Sequence, residues 1–277
     1  MNKLITVAII DSGIYPHIDF KNRILSFKDF VAEKCFPYDD CGHGTHVSGI
    51  IAGDGTASHG RIKGICPYAG IISLKVLDKH GNGKIEDVIN AADWILKHRT
   101  EFNIKVVNIS FGTTTYGEQK DSSSLEQAIE RLWDSGISVV AAAGNDGPRN
   151  CSVAIPGTCK KIITVGSPDG KDFYSGRGPT PECIVKPELI VNGSYIKSCS
   201  NKGNSYSIKS GTSMSAPIVS GAIASILSKA DYSPKEIKIL LKKCCIKKAL
   251  PDNLQGWGIL NIPEFLNYNK PSTITAD

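Results

Sequence analysis

The chain has 277 residues, 41% of them hydrophobic, enough to bury a sizeable core within one α/β domain. Its formal charge of +5 comes from Lys and Arg spread along the chain, which leaves no nucleic-acid module, and no apolar stretch reaches the length of a membrane span. Nine cysteines, an odd number without CxxC pairs or a Cys/His cluster at zinc spacing, suit reduced thiols; a Cys151/Cys159 or Cys35/Cys41 bridge stays open.

In chain order, the first ten residues carry one Lys and a short apolar run, and Asp11 follows at once with no small-residue cleavage site. That pattern predicts a buried strand over 4–10 and no signal peptide, and hence a cytoplasmic setting. Further Val- and Ile-rich runs predict strands over 71–76, 106–111, 137–143 and 162–165. Between and after them, helical character falls on 46–53, 85–97, 124–135, 213–229 and 233–243. Such alternation argues for an α/β fold of three layers, α/β/α, around a mostly parallel central sheet. In such sheets, functional residues gather at the carboxyl ends of the strands and in the loops that follow. The stretches 112–124 and 166–175 read as surface loops, and the lysines over 238–248 as a solvated helix face. One domain over 1–269 is expected, with a flexible tail over 270–277.

Three segments carry chemistry. Val7-Ala8-Ile9-Ile10-Asp11-Ser12-Gly13 is an apolar strand ending in a carboxylate. Gly42-His43-Gly44-Thr45-His46 sets a histidine between glycines at the opening of a helix. Ser210-Gly211-Thr212-Ser213-Met214-Ser215-Ala216-Pro217 starts a helix of small residues with a serine. Each alone has an ordinary explanation as a turn residue, a structural histidine or an N-cap. Together they supply the nucleophile, base and orienting acid that serine catalysis requires.

In the order Asp, His, Ser, these motifs resemble the subtilisin family of serine proteases, over roughly residues 5 to 260. The resemblance implies a subtilisin-like fold and a serine endopeptidase acting on an extended peptide or protein. Ser213 would be the nucleophile, His43 rather than His46 the general base, and Asp11 its partner. Ala142-Ala143-Gly144-Asn145-Asp146-Gly147 resembles the oxyanion segment, with Asn145 as a side-chain donor beside the Ser213 N–H. Ser110, Phe111 and Gly112 resemble one wall of the substrate cleft, and Gly81, Asn82 and Gly83 the opposite wall.

No cofactor is required by this chemistry. The resemblance leaves bound calcium possible: the segment 54–60 replaces the loop that binds a tight calcium in many members of that family, and no ligand set for it is traceable there. A binding protein on the same fold usually loses a triad member, whereas all three are kept here. An esterase or peptide ligase shares the same acyl-enzyme, so these remain competing classes. Three neighbours of the triad carry secondary expectations: Asp39 and Asp40 as attractors of basic substrate residues, Cys41 as a thiol bordering the cleft, and Met214 as oxidation-sensitive.

Overall fold

The apolar runs expected as strands form the middle of a sheet. In the computed structural model, which describes residues 4–113, 119–168 and 174–268, they are β1 (Thr6–Asp11), β3 (Gly70–Lys75), β4 (Ile104–Ile109), β5 (Ser138–Ala142) and β6 (Ile163–Gly166), with β2 (Ile24–Asp29) between the first two in the chain. Later come β7 (Leu189–Ile190), a hairpin of β8 (Ile196–Cys199) and β9 (Tyr206–Lys209), and the short β10 (Cys245–Ile246) and β11 (Ile259–Leu260). The helices are α1 (His43–Ala52), α2 (Ile85–His98), α3 (Gln119–Asp134), α4 (Thr212–Leu227), α5 (Pro234–Lys243), α6 (Asp252–Gln255) and α7 (Ile262–Leu266).

Among the described residues the main sheet runs β10-β11-β7-β6-β5-β4-β1-β3-β2, parallel at every junction except β10 with β11. Helices α1 and α4 pack on each other and on one face, and α2 with α3 cover the other. Every residue of β1, β3 and β5 is buried, which is why these strands read as continuous apolar runs without alternation. The sheet changes winding direction around β1, between β3 and β4, and the crevice beyond that point is where open α/β sheets bind ligands. The expected three-layer architecture is the observed one.

Element ends differ from the sequence reading in instructive ways. Helix α1 begins at His43, not at 46, because the Asp39 carboxylate accepts from the Gly42 and Thr45 N–H groups and lets the helix open early. Helix α3 begins at Gln119, five residues before the expected start; its polar Ser-rich first turn carries no apolar periodicity. The remainder of the expected loop at 112–124 is partly outside the described residues (114–118), as are 169–173 and the tail from 269. The edge strand β2 and the Lys- and Ser-rich hairpin β8–β9 went unpredicted because half-exposed or polar strands lack an apolar run.

A buried ion cluster ties the β6–β7 side of the sheet to α5. The Lys186 amine is fully buried and donates to both Glu188 carboxylate oxygens at 2.8 and 2.9 Å, while Lys238 of α5 reaches the same carboxylate at 2.9 Å. The Glu188 Oε2 also accepts from the Thr164 N–H at 2.8 Å. Removing one partner of a buried pair leaves an uncompensated charge. Lys186→Ala should therefore destabilise the fold by about 3 kcal/mol in urea unfolding. Lys161→Ala, which removes an exposed pair with Asp134, should cost within about 0.5 kcal/mol.

Candidate active site

Strand β1 delivers the first functional side chain. Asp11 sits at its carboxyl end, 1% exposed, and its Oδ1 accepts from the Ser12 N–H at 2.7 Å and from His43 Nδ1 at 2.8 Å. The other oxygen is buried with no hydrogen-bond partner among the described residues, so His43 is the main compensation for this charge. The contact depends on Gly44: a Cβ there would lie 2.2 Å from the Gly13 carbonyl oxygen, so only glycine lets α1 start so close to the loop after β1.

Asp39 locks the same junction. Its Oδ1 accepts from Ser12 Oγ, the Cys41 N–H and the Gly42 N–H, and its Oδ2 from the Thr45 N–H and Oγ1. Ser12 Oγ in turn accepts from the Gly44 N–H at 2.9 Å. Asp40 is bound at 2.7 Å to Lys75, whose buried amine also donates to the Ser12 and Leu77 carbonyls. Both carboxylates are thus committed to the protein itself, and the expectation that they attract basic substrate residues finds a competitor in each partner.

The two histidines of the motif separate sharply. Burial works against protonation of His43, but the Asp11 charge and hydrogen bond, helped by Asp39, outweigh it and raise its pKa above the ordinary 6.5. For His46, burial dominates and lowers the pKa to about 4. Its Nε2 donates between the Ile196 and Ser207 carbonyls at 3.1 Å, holding hairpin β8–β9 against α1. His46 is a buried strut, and His43, at the helix start, is the half-exposed ring of the two.

Helix α4 brings the serine. Ser213 is its second residue, half-buried, at an N-terminus whose N–H groups lack intrahelical acceptors. Among the described residues no hydrogen bond joins its hydroxyl to the His43 ring; such links often close only when substrate binds. Asn145 lies beside this helix start. Its Oδ1 accepts from the Thr212 N–H at 3.0 Å and from Thr212 Oγ1 at 3.1 Å. That orients the amide, because a backbone N–H can only pair with the oxygen, and it leaves Nδ2 as a donor at the surface. Gly211, at φ 146°, packs against that amide; an added Cβ would lie 3.2 Å from Nδ2.

The two expected walls line one cleft. Gly81, Asn82 and Gly83 stand across from Phe111 and Gly112, with Leu77, Leu125 and Ile155 making the interior apolar. Ser110 is different: it is buried, and its hydroxyl accepts from Asn108 Nδ2 at 2.8 Å, while Asn108 Oδ1 accepts from Ser220 of α4 at 2.8 Å. Its side chain braces β4 against α4 and leaves only its backbone for the cleft. Met214 is 1% exposed and packs in the core, and Cys41 is half-exposed beside the His43 loop.

Neither candidate cation position has free ligands. In the segment 54–60 the sole carboxylate is Asp54, which pairs with Lys21 at 2.8 Å and accepts from Thr56. His17, Asp19 and Cys199 cluster in the interior, yet the set is closed. Asp19 accepts from the Ala57 N–H, Tyr206 Oη and Cys199 Sγ, while His17 accepts from the Asp19 N–H and faces the Ser205 carbonyl. The residues present do not fit calcium at that loop.

In this mostly parallel α/β fold Asp11 meets His43 at the end of β1, and Asn145 meets the start of α4, the helix that carries Ser213, an arrangement that places the chain among α/β proteins of the subtilisin-like fold. More particularly, the chain belongs to the subtilase family, whose model matches residues 2–258. It is 37% identical to serine protease AprX of Bacillus subtilis over 94% of this chain and 65% of that relative. It is 32% identical to a thermostable alkaline protease of Halalkalibacterium halodurans over 92% of this chain and again 65% of the relative. The chain thus spans just under two thirds of the length of these curated relatives. Among solved structures it resembles a cold-adapted subtilisin-like serine proteinase, with a TM-score of 0.74 and 29% identity over 93% of this chain and 86% of that one.

The charge arrangement sets an observable difference. In an NMR titration His43 should change protonation above pH 6.5, and His46 should stay neutral down to about pH 4. Asp11→Asn removes the stabilising charge while burial and Lys209 remain, so His43 should then titrate below 6.5. The depressed His46 pKa also makes the fold lose stability as pH falls from 6.5 towards about 4, because the unfolded chain binds that proton first.

Proposed function

We propose that this chain is a serine endopeptidase that cuts extended peptides through an acyl-enzyme on Ser213. His43 takes the hydroxyl proton as Oγ attacks the scissile carbonyl and returns it to the leaving amine. Asp11 keeps Nδ1 protonated and Nε2 available, and stabilises the imidazolium that forms. The oxyanion receives the Asn145 Nδ2 and the Ser213 N–H at the start of α4. The observation that carries the reading is the Asp11–His43 hydrogen bond of 2.8 Å, in which the buried carboxylate has no other side-chain partner among the described residues.

The apolar cleft between Gly83 and Phe111 supports binding of the residues before the cut, with the peptide backbone pairing along its walls. We infer that hydrolysis requires no cofactor, since proton transfer and charge stabilisation are both supplied by the chain's own side-chain and backbone groups. The same reading puts the chain in a reducing, cytoplasmic setting, supported by nine cysteines that are all unpaired.

A fluorophosphonate probe should label wild-type protein at Ser213 and leave Ser213→Ala unlabelled, and a peptide-library digest should yield internal cleavages. Labelling without any peptide cleavage would move the chain to the esterase class. Asn145→Ala should lower turnover by about 10²–10³, the loss that removing this donor causes in subtilisin itself. Stability offers a separate check on metal: thermal unfolding in EGTA should match that in calcium, and a midpoint several degrees lower in EGTA would show a bound ion.

A further inference from the structure

The hairpin β8–β9 and its loop, residues 196–209, carry Lys197, Lys202 and Lys209 and no acidic residue. Pairing within the hairpin sorts these charges. Lys197 and Ile208 face each other on the exposed side, whereas Ile196 and Lys209 are paired on the side that packs towards α1. Ser207, two residues earlier on the same side as Lys209, gives its carbonyl to His46, one helical turn after His43. Lys209 thus sits on the strand that supplies an acceptor to His46, in the hairpin packed against α1. It is half-buried, four residues before Ser213, and has no ion-pair or hydrogen-bond partner among the described residues.

We propose that Lys209 is a specificity-determining residue that selects acidic side chains in the residues immediately after the cut; this rests on the endopeptidase reading above. The side of the cut follows from the arrangement around His43. The apolar cleft at Gly81, Gly83, Phe111 and Gly112 takes the acyl half of the substrate. His43 protonates the leaving amine, so the residues beyond the cut must pass over its other flank, where the hairpin packs on α1. There Lys209 is close enough for its charge to oppose protonation of both His43 and His46. The other lysine near the site, Lys75, is buried and bound to Asp40, so it offers nothing to a substrate. A free, partly desolvated ammonium at this place attracts carboxylate and repels a basic side chain.

The test uses internally quenched peptides identical before the cut and carrying Glu, Gln or Lys at the first or second position after it. Wild-type protein, Lys209→Gln and Lys209→Glu are compared, each scaled to its own rate on the Gln peptide. Wild type should favour Glu over Lys by about fivefold in kcat/KM, the range of one partly exposed ion pair, with the preference shrinking as salt is added. Lys209→Gln should abolish the preference and Lys209→Glu should reverse it. A matched pair ending two residues after the cut, as free acid or amide, separates a side-chain carboxylate from a chain-terminal one; faster cleavage of the free acid alone would overturn the proposal for side chains. An unchanged Glu-to-Lys ratio in Lys209→Glu would overturn it outright. If no peptide is cleaved and Ser213 takes up no fluorophosphonate, the endopeptidase reading falls, and this inference with it.

Discussion

A carboxylate taken wholly out of water must be compensated where it lies, and Asp11 is such a group. One oxygen is shared between a backbone N–H and His43, and the other finds no partner among the described residues, so the imidazole is held by a charge with little else to satisfy it. Much of the surrounding architecture serves that pairing. Gly44 permits the approach of α1, and Ser12 and Asp39 sew the end of β1 to the helix start. The buried Lys75 amine holds together the carbonyls that follow β1 and β3.

The same helix then separates two histidines three residues apart. One turn places His43 at the lip with a charged partner, and the next places His46 inside against two carbonyls. Identical side chains acquire opposite pKa shifts because a nearby negative charge outweighs burial at His43, whereas burial dominates at His46 and the Lys209 charge adds to it. The hairpin that His46 anchors also carries Lys209, so the strut and the charge beside the cleft belong to one piece of structure. Rigidity at His46 thereby becomes placement at Lys209.

Much of the fold was legible in the sequence for a simple reason. Strands buried on both faces must be continuously apolar, and the helices between them must alternate with an apolar stripe; both patterns survive in β1, β3, β4, β5 and α2. The hairpin was not legible because a partly exposed strand pair rich in Ser and Lys looks like a loop, and β2 because its half-buried edge residues break the continuous apolar run of a central strand. Asp39 was visible only as one of two adjacent acids. That its oxygens accept five bonds, and that Asp40 turns instead to Lys75, depends on contacts across the junction. Ser110 was expected in the cleft wall from the family resemblance of segment 108–112; its side chain turns inward to Asn108, which the sequence did not show.

By itself, the sequence determined the residue types available for chemistry and their order along the chain: a strand-end Asp11, a glycine-flanked His43, and Ser213 and Asn145 at a helix start and a turn. Only the tertiary structure decided what His46 is buried against, which way the Asn145 amide points, and which lysine near the serine has no partner among the described residues. The division has a physical cause. Local patterning follows from the periods of helix and strand, which neighbouring residues express, whereas protonation, amide orientation and charge pairing arise from groups that are distant in the chain and meet only when the sheet is assembled.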